Sequence, residues 1–201
     1  MTLTGKSGQT GAGAISFKDP SGNTDGFIFA DGGNLYITAD YDDNTTDSSI
    51  RFRVDGSSEK LRISDKGTIT FGNGVLEEGF HYDTGGGIQG NYVHHVMTYG
   101  EIFYGYTNAV ANFTFDVKGT STINYNDITT IGKLSTVTAY IKSNSYYLTE
   151  FRIDGVAQTV KWAGGSAPSA GSASGCDVYS FTIMKTAAST YAVFGSSTEF
   201  S

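Results

Sequence analysis

The chain of 201 residues contains one cysteine, Cys176, so no disulfide framework can staple it. Proline occurs twice, leaving 27 glycines to supply the turns. No apolar run approaches the ~20 residues of a membrane-spanning helix. The opening Met1-Thr2-Leu3-Thr4-Gly5-Lys6 is polar and lacks the apolar centre of a secretory leader, which predicts synthesis and solubility in a cytosol. Charged residues are sparse at 16%, and 13 basic against 20 acidic side chains give −7. With no basic face, nucleic acid is not an expected partner.

What remains is rich in strand formers and turn formers. Tyr and Phe number 13 each, and β-branched residues are common. That aromatic content also argues against disorder. From Ile15 onward the apolar residues recur with a period of two. Leu35, Ile37 and Ala39 alternate with Tyr36 and Thr38, and Ile50, Phe52 and Val54 alternate with Arg51 and Arg53. Asp31-Gly32, Asp55-Gly56 and Asp65-Lys66-Gly67 punctuate these runs, as hairpin turns do. The sequence predicts an all-β protein. Residues 1–14 form an attachment arm, 15–74 a short-strand meander, 75–108 an irregular connector and 109–201 a β-sandwich or jelly roll. Its strands are expected at Phe113–Phe115, Ile123–Tyr125, Leu134–Ile141, Tyr146–Ile153, Val156–Trp162, Val178–Met184 and Tyr191–Phe194, with an exposed loop at Gly164–Gly175. So short a meander buries little apolar surface alone, which predicts an obligate oligomer.

Few residues assemble into reactive patterns. Gly85-Gly86-Gly87-Ile88-Gln89-Gly90 matches the dinucleotide glycine spacing but has no strand–helix context, so it reads as a packed connector. Asp40, Asp42, Asn44 and Asp47 carry oxygen ligands, yet Thr45 and Arg51 stand where a calcium loop of the EF-hand type needs glycine and a carboxylate. His94 and His95 would point to opposite faces of a strand, so they could meet a metal only across a symmetry axis. Glu77-Glu78 has no partner spacing for glycoside hydrolysis. Asp177 beside Cys176 disfavours a thiolate. No catalytic, metal or cofactor residues are assigned, and the chain is not expected to be an enzyme. Trp162 is expected in the core. Tyr146, Tyr147 and Tyr179, with the Gly164–Gly175 loop, are the candidate receptor contacts, because exposed tyrosines make good anchors.

Two segments carry a resemblance. Ile50-Arg51-Phe52-Arg53-Val54-Asp55-Gly56, Glu59-Lys60-Leu61-Arg62-Ile63-Ser64 and Gly67-Thr68-Ile69 resemble a recurrent segment of tail-fibre and other fibre proteins of tailed bacteriophages. Trp162-Ala163-Gly164-Gly165, Pro168 and Asp177-Val178-Tyr179-Ser180-Phe181-Thr182-Ile183 resemble a distal β-domain of structural proteins from marine phages, including cyanophages. The resemblance implies a homotrimer in the virion, bound to other virion proteins at its N-terminus and facing outward at its C-terminus. Exposed tyrosines suit a sugar there, and the acidic chain favours a neutral host glycan over an anionic one. Only Met1 to Ala14 precede the predicted strands, which favours a short fibre, a fibre tip or a capsid-decorating protein. The rival role is capsid decoration. A polysaccharide depolymerase is a distant third.

Overall fold

A computed structural model describes residues 14–22, 24–31, 34–40, 46–72 and 77–200. Residues 1–13 of the expected attachment arm, and residues 41–45 of the acidic loop, lie outside this set. The chain is all-β and divides into two compact units, 1–76 and 77–201. Among the described residues no helix is long and apolar enough to cross a membrane.

Among the described residues the first unit holds two antiparallel three-stranded sheets. Strands β1 (Ala14–Lys18), β2 (Thr24–Asp31) and β3 (Asn34–Ala39) form one. Strands β4 (Ser49–Val54), β5 (Ser58–Ser64) and β6 (Ile69–Phe71) form the other. The turn joining β4 to β5 places Asp55 and Gly56 at φ of 51° and 77°, a left-handed pair that aspartate tolerates and glycine adopts freely. Register then sorts the side chains. Ile50, Ile63 and Ile69 lie opposite one another, as do Phe52, Leu61 and Phe71, so six apolar side chains share one face of the second sheet. Arg51, Arg62 and Thr70 share the other face. There Glu59 pairs with Arg51 at 3.5 Å and Arg62 at 3.6 Å. In the first sheet Ile15, Ile28 and Ile37 align in the same way.

The second unit begins earlier than the sequence predicts. Residues 77–106 are not an irregular connector, because they supply β7 (Phe80–Asp83), β8 (Gly90–His95), a one-turn helix α1 (Val96–Tyr99) and β9 (Ile102–Gly105). The chain continues through β10 (Phe113–Lys118), α2 (Tyr125–Ile128), β11 (Leu134–Lys142), β12 (Leu148–Ile153), β13 (Val156–Ala157), β14 (Val160–Trp162), β15 (Cys176–Ala187) and β16 (Thr190–Phe200). Ile123–Tyr125 is not a strand. The Asp154 carboxylate accepts from the Tyr125 and Asn126 amides at 2.7 and 3.0 Å, which turns the chain into α2 instead.

Two sheets result, ordered β13-β12-β10-β8 and β14-β16-β15-β11-β9-β7. From β7 to β12 each successive strand enters the opposite sheet. Neighbours within a sheet are therefore parallel, β8 with β10 and β12, and β7 with β9 and β11. A jelly roll would pair these strands antiparallel. Only the long β15–β16 hairpin and the β11–β15 pair restore antiparallel pairing in the larger sheet. The sheets share one core. Phe151 of the smaller sheet stacks on Phe181 of the larger at 3.9 Å, and Tyr92 meets Phe103 at 4.7 Å. Trp162, expected in the core, is only partly buried and packs edge-on against Phe181 at the core's margin.

Candidate functional site: the outer face of the larger sheet

Alternation along β15 sends Asp177, Tyr179, Phe181 and Ile183 inward and leaves Cys176, Val178, Ser180 and Thr182 on the opposite, outer face. Register carries that face across the sheet. Tyr82, Tyr104, Tyr140, Val178 and Thr198 form one row, and Phe80, Ile102, Thr138, Ser180 and Ser196 the next. The tyrosine rings touch: Tyr82 lies 5.7 Å from Tyr104 and 5.4 Å from Tyr106, and Phe80 lies 6.5 Å from Tyr104. Phe80, Tyr82, Tyr106 and Tyr140 are exposed, Phe80 to 54%. A shallow cavity of about 490 Å³ runs among Phe80, Ile102, Tyr104, Tyr140, Val178 and Phe200.

The electrostatics of this face are unusual for a chain of net charge −7. No carboxylate stands in either row. Lys142 lies over the Tyr106 ring at 4.0 Å, and Lys161 over Phe194 at 5.2 Å, so the cations on the face sit against rings. Desolvation, then the neighbouring Tyr106 and Tyr104 phenols, pushes the Tyr82 phenol above its usual range, and it stays protonated at neutral pH. Among the described residues the hydroxyls of Tyr82, Tyr104 and Tyr140 make no hydrogen bond. The face therefore offers ring surface and free hydroxyls together. Burial, then the Asp177 carboxylate among smaller contributions, pushes the Cys176 thiol up, which keeps it a poor nucleophile.

The predicted contacts do not come together here. Tyr179 is a correction: only 1% exposed, it packs edge-on to Phe113 and donates to Asp177 at 3.2 Å while accepting from the Leu148 amide at 3.3 Å. Period two puts it on the inner face with Phe181. Tyr146 and Tyr147 lie in the loop before β12, after the left-handed pair Asn144 and Ser145, so strand alternation does not govern them. Tyr146 is exposed and Tyr147 half-buried, with the Tyr147 amide donating to Asn112 at 3.1 Å. The loop at 164–175 is exposed over most of its length, including Ala173 and Ser174, as predicted, but Ser172 is buried. Its end is anchored, because the Ser172 amide donates to the buried Asp177 carboxylate at 3.1 Å.

Two further candidates, the Gly85–Gly90 segment and His94, resolve as packing. Gly85–Gly90 joins β7 to β8 with no helix after it, and a Cβ on Gly87 would overlap the Asn108 carbonyl. His94 is fully buried, with Nε2 2.8 Å from the Gly100 carbonyl oxygen, so it cannot reach across a symmetry axis to a metal. Among the described residues its Nδ1 has no hydrogen-bond partner. His81 stacks on Tyr99 at 3.9 Å beside it. Among the described residues no group of three or more His, Cys, Asp or Glu side chains is placed to hold a metal ion. A second cavity of about 250 Å³ contains Glu101, Tyr125, Ser135 and Lys185. The Lys185 ammonium is buried and donates to the Asn126 and Thr129 carbonyls, closing the end of α2.

Sequence reasoning missed Tyr82, Tyr104 and Tyr106 because it read 75–108 as irregular. The signal was present in Phe80-His81-Tyr82 and Ile102-Phe103-Tyr104-Gly105-Tyr106, where rings recur at every second residue. No protein-family model, curated protein or solved structure matches the chain.

Proposed function

We propose that the chain is a structural protein of a bacteriophage particle, a short fibre or fibre tip that assembles as a homotrimer and presents its C-terminal unit for host-surface contact. The observation that carries this reading is the uncovered apolar face of the first unit. Every fully buried apolar side chain among the described residues lies at or beyond Ile88. Phe52, Ile63, Ile69 and Phe71 on the β4–β6 sheet, and Ile15, Leu35 and Ile37 on the first sheet, remain exposed, Leu35 to 69%. Three-stranded sheets hold together in water only when such a face is buried. Further copies of the chain supply the cover. Residues 46–72 carry five basic and four acidic side chains, so like sheets approach one another with almost no net repulsion. The resemblance of segments 50–69 and 162–183 to phage fibre and distal-domain sequences directs the reading to a virion.

Native mass measurement at micromolar concentration tests the assembly. Wild type is expected at three chain masses, and Phe52→Asp combined with Phe71→Asp is expected to dissociate it. A stable, folded wild-type monomer refutes the proposal. Gold-labelled antibody on particles is expected at the tail, and label over the shell instead would establish the decoration role.

A further inference from the structure

The uncovered side chains of the β4–β6 sheet and of the second unit's larger sheet differ in kind. On the β4–β6 sheet they are aliphatic or phenyl and carry no hydroxyl. On the larger sheet of the second unit, tyrosines occupy one side of the outer face, and Thr138, Ser180, Ser196 and Thr198 continue their rows. We infer that this outer face is a binding platform for a neutral glycan. The inference rests on the reading of the C-terminal unit as an outward contact domain, and moves the expected glycan site from Tyr146, Tyr147 and Tyr179 to the row of Tyr82, Tyr104 and Tyr140.

Three features select that ligand over others. Ring faces exposed beside free phenol hydroxyls match a sugar, whose ring presents an apolar C–H surface edged by hydroxyls. Against a second copy of the chain, the same hydroxyls would be buried facing one another. Each one left unpaired costs about 1–3 kcal/mol. Charge narrows the choice further. With no carboxylate in the two rows the face has nothing to hold a cationic peptide, and a chain of −7 repels a polyanion. The shallow cavity between Phe80 and Phe200 then accommodates one ring of the polymer, with Tyr104 and Tyr140 at its centre.

Affinity electrophoresis of the full-length protein through gels containing dextran, mannan or laminarin tests the inference, with alginate as the anionic comparison. At least one neutral polymer is expected to retard the wild type, and alginate less so. Tyr104→Ala and Tyr140→Ala are each expected to weaken retardation about tenfold or more, and Tyr146→Ala, off this face, is expected to leave it unchanged. Tyr104→Phe removes a single oxygen and is expected to fold as the wild type does, with a smaller loss. Native mass is recorded for every variant, so failed assembly is read separately from failed binding. The inference is overturned if none of the neutral polymers retards the protein, if alginate binds better, or if the Tyr104 and Tyr140 variants match the wild type. It is also overturned if these variants lose assembly instead, because the face would then join copies of the chain.

Discussion

Acid should weaken the second unit through His94. The ring is fully buried among Phe103, Phe115, His81 and Tyr99, with centroids 5.6–6.2 Å away. Burial lowers its pKa from 6.5 to about 4; the Gly100 carbonyl opposes this and the neighbouring His81 and His95 add to it. The folded state therefore binds the His94 proton less readily than the unfolded chain does. The stability this site lends is full above pH 6.5 and declines as pH falls to about 4. At about 1.4 kcal/mol per pH unit the complete loss is roughly 3 kcal/mol, and at pH 5 it is roughly 2 kcal/mol. His81, lowered mainly by burial, adds in the same direction. Asp116 and Glu101, both raised mainly by burial, act oppositely, so the test compares variants rather than absolute slopes.

Trp162 is the chain's one tryptophan and packs on Phe181, so its fluorescence reports urea unfolding of this unit alone. The wild type is expected to lose markedly more stability between pH 7.5 and pH 5 than His94→Phe. Identical pH dependence in the two proteins would refute the reasoning, whatever the variant's stability at pH 7.5.

Two further perturbations probe the anchoring of the sheets. Tyr179→Phe removes a hydroxyl that joins Asp177 to the Leu148 amide and is expected to cost about 1–3 kcal/mol, measured by the same urea titration. A loss below about 0.5 kcal/mol would mean the buried pair is already satisfied without it. Gly175→Ala would drive a Cβ into the Phe200 carbonyl oxygen, and proteolysis is expected to cut the 166–175 loop faster in that variant, whereas Gly86→Ala, with open space around it and no left-handed φ, should not open this junction. Equal cleavage rates would show that the Gly175 junction yields freely.

The sequence determined the class of fold, through local rules that need no partner. Period two in Ile50–Val54 fixes which side chains share a face, and Asp-Gly fixes where the chain reverses, as Asp154-Gly155 does again between β12 and β13. Those signals are local because both depend on neighbouring φ and ψ. Tertiary structure decided what each face meets. Tyr179 and Tyr140 lie on paired strands and read alike in sequence, yet one faces Phe113 inside and the other faces water. Alternation says that two faces exist and not which is buried. The alternation of strands β7 to β12 between two sheets was equally illegible, since parallel neighbours are joined through the opposite sheet and share no turn. That crossing is what brings Tyr82, Tyr104 and Tyr140, from three separate strands, into one row.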